Sequence, residues 1–369
     1  MSLSKLYIHQ DVADTELSLN IQKRLSHIPT EVVSDSHAVY KHVSSAGEGA
    51  NSILKGKEIL FLSKNKGAFI KSCPGTRAYT CCGYKILHIG TFCTMDCSYC
   101  ILQAYFHPPV LQYFLNQDDL LVELDGLFKE PGIHRVGTGE FTDSMIWEYW
   151  TDTARLLVPK FAAQNRAVLE LKTKTTAIEA LKFLDHNRKT IMAWSLNTLE
   201  VIRGEERGTA SLKARFDAAV ACESLGYPLA FHFDPMVIYE GCEKDYEVVI
   251  KELFSCIQPE SVVWISLGTF RFMPGLKPIV QERFPDSKIV YGEFVTGLDG
   301  KMRYFKPLRI GLYRHIANFI RKIAPDVLVY LCMEDDEVWK KAMGFLPADK
   351  GGLEKMLDNS AIAHCNVSP

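Results

Sequence analysis

The chain has 369 residues, of which 47% are hydrophobic and 23% charged, the balance of a globular protein with one large core and appendages or with two ordinary domains. A formal net charge of −2 excludes the global basic field of a general nucleic-acid binder, and no apolar run approaches the ~20 residues that span a bilayer. Residues 1–15 lack a charged stretch followed by an apolar one, so no secretory signal is expected, and the expected location is cytoplasmic.

Residues 1–83 carry helix-like "DTELSLNIQKRL", polar "SSAGEGANS" and strand-like "EILFLSKNKGAFIKS", which read as an N-terminal subdomain. From residue 84 a short apolar run, a turn and an amphipathic helix recur. The strand-like runs are "YKILHIG" (84–90), "GIHRVGTGEF" (132–141), "AVLELKTKT" (167–175), "TIMAWSLNT" (190–198), "YPLAFHFDPM" (227–236) and "SVVWISLGTF" (261–270). Helical periodicity marks "DDLLVELDGLFKE", "SLKARFDAAVACESLG" and "EKDYEVVIKELFSCI", with Ser211 placed as an N-cap and Gly226 at a C-terminal cap.

Six strands alternating with helices predict a parallel sheet with right-handed crossovers. A closed eight-fold barrel needs two more units, so an α/β fold with a partial (β/α)6 barrel over 84–290 is expected. Residues 291–369 read as an extension: a β-hairpin with Asp299 and Gly300 at its tip, a helix over about 309–323, strand "DVLVYLCM" and helix "DEVWKKAMGF". The closing "AHCNVSP" reads as a frayed tail.

In such barrels the chemistry gathers at the C-terminal strand ends. Polar residues stand there: Gly137–Asp143 after the second strand, Lys172 and Lys174 at the third, Ser195 and Asn197 at the fourth, His232 and Asp234 at the fifth. The loop after the first strand, "GTFCTMDCSYC", holds Cys93, Cys97 and Cys100.

Eleven cysteines in a reducing compartment read as metal ligands, redox groups or buried small hydrophobes, and Cys222 and Cys256 fit the last. The triplet is different. Tetrahedral zinc and ordinary iron–sulfur sites take four protein ligands, and no fourth lies near. Three thiolates hold three irons of a cubane and leave the fourth iron open to a small molecule that chelates it through amino and carboxylate groups.

The spacing C-x3-C-x2-C, with Tyr99 before its last cysteine, resembles the radical S-adenosylmethionine superfamily. That resemblance implies a [4Fe–4S] cluster on Cys93, Cys97 and Cys100, S-adenosylmethionine on the open iron, and a 5′-deoxyadenosyl radical that abstracts hydrogen from a substrate. It also implies an electron donor such as flavodoxin or ferredoxin. "GTGE" (Gly137, Thr138, Gly139, Glu140) matches the segment that contacts the methionyl ammonium, though a plain βα turn would read the same.

Over roughly residues 55–330 the order of motifs resembles the spore photoproduct lyase family of DNA-repair enzymes: "FTD", "TK", "SLN", "DPMVIYEGCEKDY", "FRFMPGLKPIVQERFP" and the late hairpin. By that resemblance Gly139, Glu140, Thr142, Lys174, Ser195 and Asn197 line the S-adenosylmethionine pocket; each also reads as an ordinary strand-end or turn residue. The resemblance further implies carbon–carbon bond cleavage in a thymine photoproduct, or a related nucleobase lesion. The family's hydrogen-donating cysteine precedes the T/S-D pair, where this chain has Glu140 and Phe141. Another cysteine or a tyrosine, Tyr99 for example, then donates the hydrogen, or the substrate differs and is a peptide or small metabolite. A non-catalytic iron–sulfur redox protein is the reading of another class.

Two features stand apart from the barrel. Lys301, Arg303, Lys306 and Arg309, with Tyr304, mix phosphate-binding cations with a stacking ring, as a nucleic-acid contact would; an edge hairpin whose charges deter aggregation reads the same. Cys73, Cys81 and Cys82 in "SCPGTRAYTCCGYK" suggest an auxiliary iron–sulfur cluster, with Cys332 or Cys242 as fourth ligand; buried thiols or a substitute hydrogen donor are the alternatives. Adjacent cysteines of one strand point to opposite faces, so the strand must end there, an irregularity that Gly83 and Pro74 permit.

Overall fold

A computed structural model describes residues 3–369 except 48, 74, 76 and 77, so Pro74 lies outside the described residues. The strands are β1 (Lys5–His9), β2 (Thr30–Val33), β3 (Ile59–Ser63), β4 (Ile70–Ser72), β5 (Lys85–Leu87), β6 (Gly90–Thr91), β7 (Leu111–Phe114), β8 (His134–Gly137), β9 (Ala167–Thr173) and β10 (Thr190–Ser195). There follow β11 (Leu229–Met236), β12 (Val262–Thr269), β13 (Arg271–Phe272), β14 (Phe294–Thr296), β15 (Met302–Tyr304) and β16 (Val329–Leu331).

The main sheet runs β16-β12-β11-β10-β9-β8-β5-β4, an open half-barrel. All neighbours pair in parallel except β4, which lies antiparallel on β5. The six expected strands are there, joined by a seventh parallel one: β16, from the C-terminal extension, pairs with β12 through Ile265 and Val329. Strands β9 to β12 are buried along nearly their whole length, which is why they read as continuous Val, Ile, Leu and Ala runs rather than alternating ones. Helices Leu212–Ser224 and Cys242–Cys256 cover them. Ser211 caps the first by accepting from Ala214 N, and Gly226 follows its end with φ +86°.

A second sheet, β2-β1-β3-β7-β6, crosses the expected boundary at residue 83. Its strands β6 and β7 follow that boundary, while β4, which precedes it, belongs to the barrel. The first turn of the barrel is thereby bound to the N-terminal part of the chain: Gly90 and Thr91 pair with Tyr113 and Gln112 immediately before the cysteine loop.

The late hairpin forms as β14 and β15, but its second arm ends at Tyr304, and the helix runs over Lys306–Ile323. The expected frayed tail is docked. Helix Leu353–His364 packs on β12, Cys365 and Val367 are buried, and Ser368 N donates to Asn165 O at 2.8 Å. Enough apolar surface is covered to hold the end of the chain in place. Among the described residues no helix is long and apolar enough to cross a membrane.

Candidate functional site

The cysteine loop leaves β6 through Phe92, whose φ is +69°, and its course is fixed by partners distant in sequence. Lys57 Nζ donates to Cys93 O at 2.9 Å and also to Met95 O. Gln103 Nε2 donates to the carbonyls of Cys97, Ser98 and Cys100 at 3.0, 3.1 and 3.3 Å. Arg283 pairs with Asp96 at 2.8 Å, while Asp96 N and Ser98 N donate to the carbonyls of Arg207 and Glu205. A loop whose carbonyls are satisfied this way keeps its side chains in register without a ligand.

Cys93 and Cys97 are buried and Cys100 half-buried. Burial pushes the Cys93 thiol up to about 12 and Cys97 higher still; Lys57 opposes the shift at Cys93 and Lys174 at Cys97. Cys100 adds to the rise at both, and Cys93 to that at Cys97, so the three thiols lie within one another's electrostatic reach. Cys93 and Cys97 thus keep their protons until iron displaces them.

Tyr99, beside the last cysteine, donates its hydroxyl to Glu206, whose other oxygen meets Arg215 Nη2 at 2.5 Å. Arg215 continues to Ser195 O, Thr209 Oγ1 and Ala210 O at 2.9, 2.9 and 3.0 Å. Neither Glu206 nor Arg215 was legible as a site residue, yet they lock Tyr99 to the tip of β10. Lys174 Nζ lies 5.7 Å from the Tyr99 ring centre.

At the tip of β8 the two glycines are dictated by close approach. A Cβ at Gly137 would stand 1.6 Å from the Tyr84 hydroxyl, and one at Gly139 would stand 3.1 Å from Lys172 Cβ. Thr142 is buried, and Asp143 ties this tip to β9. The Asp143 carboxylate accepts from Met145 N at 2.9 Å, Thr173 Oγ1 at 2.8 Å and Lys174 N at 2.9 Å. Asn197 at the tip of β10 donates to Pro235 O at 2.7 Å and accepts from Tyr246 OH at 2.8 Å. The structure therefore brings Gly139, Thr142, Lys174, Ser195 and Asn197 to the strand ends beside the triplet, and Asn197 and Thr142 there also carry packing.

Glu140 forms an ion pair with Lys172 at 3.4 Å. Burial works against the Lys172 ammonium, but Glu140, Glu170, Asp234 and Cys332 together hold it above its ordinary range. Below it, Glu170 accepts from His232 Nε2 at 2.9 Å and Trp264 Nε1 at 3.0 Å, and His232 Nδ1 meets Ser266 Oγ at 2.6 Å. Burial alone would raise Glu170; His232 and these bonds instead hold it at about 2 against an ordinary 4.5. A folded-state value below the unfolded one contributes stability that is complete above about pH 4.5 and is lost as pH falls towards about 2. Glu170→Gln is therefore expected to flatten the acid limb of the unfolding curve in that window, read by tryptophan fluorescence. An unchanged slope would count against the assignment.

Beside Glu140 lies an aromatic group that the sequence did not reveal. Tyr105 stacks on Phe141 at 5.9 Å, Phe106 meets Tyr105 edge-on at 5.2 Å, and His88 lies 4.9 Å from Phe141. Lys71 Nζ is 5.7 Å from the Phe141 ring centre, and Tyr105 is 58% exposed.

The late basic segment buries its two arginines. Arg303 and Tyr304 are buried, Arg303 pairing with Asp299 at 2.8 Å and Tyr304 stacking on Phe294. Arg309 is buried against Glu334 at 3.0 Å. Lys301 pairs with Asp299 and Lys306 with Asp335 and Glu337. Of the expected nucleic-acid contact, Arg303, Tyr304 and Arg309 are not presented at the surface, because burying guanidinium groups requires partners and acidic residues nearby in the fold supply them; Lys301 and Lys306 remain partly exposed in ion pairs.

Three neighbouring thiols without a fourth fit an iron–sulfur cluster with one open iron. Thr138 Oγ1, just past the end of β8, is buried without a hydrogen-bond partner among the described residues, which fits a polar ligand at that strand tip. Half-barrel and triplet together define the radical S-adenosylmethionine class. A family model, spore photoproduct lyase, matches residues 69–316, and the chain belongs to that family. The spore photoproduct lyase of Bacillus subtilis (strain 168) is 28% identical over 232 residues, 61% of this chain and 66% of that protein. That of Clostridium acetobutylicum is 23% identical over 270 residues, 72% of this chain and 76% of that protein. A solved structure of a spore photoproduct lyase mutant superposes with a TM-score of 0.80 at 21% identity, covering 89% of this chain and 99% of that one. Another, complexed with dinucleoside spore photoproduct, likewise has a TM-score of 0.80, at 20% identity over the same shares of the two chains.

Proposed function

We propose that this chain is a radical S-adenosylmethionine lyase that cleaves a carbon–carbon bond in a thymine photoproduct or related nucleobase lesion of DNA. The observation that carries the reading is the union of the thiol triplet with the aromatic group: Phe92 N donates to Phe141 O at 2.9 Å, so cysteine loop and stacking surface form one unit. When bound, a [4Fe–4S] cluster and S-adenosylmethionine supply one electron and a 5′-deoxyadenosyl radical. Cys93, Cys97 and Cys100 hold the iron; Thr138, Gly139, Lys174 and Ser195 line the cofactor's side. Tyr105 and Phe141 offer faces on which a base stacks, and Lys71 a cation for phosphate.

The proposed setting is cytoplasmic, with a flavodoxin- or ferredoxin-type donor supplying the electron. The tyrosine expected as a hydrogen donor is engaged, because the Tyr99 hydroxyl donates to Glu206, and Glu140, at the position of the family's donor cysteine, is paired with Lys172. The thiols whose surroundings include Glu140 are Cys73 and Cys332. A charged lining at the donor position, Glu140 with Lys172 and Asp234 with Arg271, favours a second reading in which the substrate is a peptide or small metabolite.

Anaerobic protein reconstituted with iron and sulfide, given dithionite, S-adenosylmethionine and dinucleoside spore photoproduct, is expected to release thymidine-containing repair product. No repair with 5′-deoxyadenosine formation intact would sink the lyase reading in favour of the second one; no cleavage of S-adenosylmethionine would sink both. Tyr105→Ala is expected to raise KM for the photoproduct roughly ten-fold, the loss of one stacking face. An unchanged KM would remove the aromatic group from the substrate site.

A further inference from the structure

Glu140 and Phe141 stand where the family's hydrogen-donating cysteine is expected, and neither side chain has a bond weak enough to give a hydrogen atom to a carbon radical. A thiol does, because its S–H bond is weaker than the C–H bond that forms. Of the cysteines outside the triplet, Cys222 and Cys365 are buried in packing, and Cys242 and Cys256 donate to Glu243 and to carbonyls of their own helix. Cys73, Cys81 and Cys82 precede β5. Cys332 is half-buried and directly follows β16, so it alone of these stands at the tip of a parallel barrel strand, where the chemistry of such folds gathers.

Its side chain shares the barrel's interior face. Strand β16 pairs with β12 through Tyr330 with Ser266 and Leu331 with Leu267, and Cys332 N continues the ladder onto Leu267 O at 2.9 Å. Side chains alternate between faces, so Cys332 lies on the face of Tyr330 and Ser266. That face is the interior, because Ser266 Oγ meets His232, which reaches Glu170 two strands away. Lys172 and Asp234 each lie two residues beyond that buried pair, on the same face and nearer the tips. There Lys172 holds Glu140 at 3.4 Å, and Asp234 holds Arg271 at 3.1 and 3.2 Å. Arg271 Nη2 in turn donates to Cys332 Sγ at 3.4 Å. Gly268 leaves room for this group, since a Cβ there would stand 2.6 Å from Asp234 Cγ and 2.9 Å from Arg271 Nη1.

Glu140, after β8, and Cys332, after β16, thus flank one polar interior from either side of the sheet. Thr138 Oγ1, buried without a partner among the described residues two positions before Glu140, fits a polar ligand entering there. By accepting from Arg271, Cys332 Sγ leaves its own hydrogen unused. Burial pushes this thiol up to about 12 although Arg271 opposes the shift, so it carries that hydrogen at neutral pH.

We infer that Cys332 returns the hydrogen atom to the substrate radical once the carbon–carbon bond has broken, from the side of the interior across from Glu140. The inference rests on the lyase reading. The Cys332 S–H bond breaks and a C–H bond forms on the carbon that the cleaved bond released, leaving a sulfur radical. That radical takes one electron from the flavodoxin- or ferredoxin-type donor and a proton from water, which restores the thiol.

The test uses the full chain, reconstituted and given S-adenosylmethionine, dithionite and dinucleoside spore photoproduct in D2O, where the thiol exchanges its hydrogen. Wild-type product is expected to carry deuterium on the carbon freed by cleavage. Cys332→Ala and Cys332→Ser are expected to form 5′-deoxyadenosine and consume photoproduct, while repaired thymidine falls at least about a hundred-fold. Serine keeps an acceptor for Arg271, but its O–H bond is too strong to donate, so the two variants separate hydrogen transfer from packing. Kd for photoproduct, read by tryptophan fluorescence before reduction, should stay within about two-fold of wild type. Undiminished, deuterated product from both variants would overturn the assignment and leave the lyase reading standing. So would rescue by serine, or a Kd raised in step with the lost repair. No repair by wild type would overturn both.

Discussion

Cys97→Ala is expected to reduce 5′-deoxyadenosine formation from S-adenosylmethionine by at least about a thousand-fold, because groups that act as a unit are lost together. Cys97 is buried at the centre of the triplet, its thiol within electrostatic reach of Cys93, Cys100 and the Lys174 ammonium. Deleting it leaves two protein ligands for a cluster that needs three. The loop itself should stay in place, since Lys57, Gln103 and Arg283 hold its backbone and Asp96 from outside. Removing one buried sulfur costs about 1 kcal/mol, a shift of about 2 °C in Tm. Product formation under dithionite, iron content and thermal unfolding, measured together, separate loss of cluster from loss of fold. Cleavage at a rate comparable to wild type would mean that the triplet does not hold the cluster.

How far such a site can be read from residues alone depends on the range of the interactions that build it. The triplet and the barrel strands were legible because both are local signals: ligand spacing within eight residues, and apolar runs buried on both faces. Strand β16 was legible as a strand, but its addition to the barrel edge beside β12 was not, because pairing is decided in three dimensions. Arg303 and Arg309 misled for the same reason. In sequence they look like a basic stripe, and only the fold brings Glu334 to Arg309 and the hairpin turn's Asp299 to Arg303. The aromatic group is not legible because Tyr105, at the end of helix Leu102–Tyr105, and Phe141, in the loop after β8, lie far apart in sequence and meet only by stacking in the fold. The departure at Glu140 is visible in the sequence, but its pairing with Lys172, on the next strand, is not.

The same limit hid Glu206 and Arg215, and they carry the largest expected effect on stability. "GEERG" and "SLKARF" look like solvated charges on a loop and a helix, yet the two side chains are 1% and 0% exposed. Arg215→Met keeps the volume but leaves the Glu206 carboxylate buried with only Tyr99 for a partner. Breaking a buried pair in this way costs about 3–5 kcal/mol, more than the pair's net contribution, because the remaining charge cannot return to water. Adding Glu206→Gln to Arg215→Met removes that stranded charge, and the double variant is therefore expected to be more stable than Arg215→Met alone. Denaturant unfolding of wild type, both single variants and the double completes the cycle. Because Arg215 also holds Ser195 O and, through Glu206, the Tyr99 hydroxyl, the single variant should bind S-adenosylmethionine more weakly even where it remains folded. A double variant no more stable than Arg215→Met would show that the cost lies in lost packing, and that the pair is not what holds Tyr99 and the tip of β10 together.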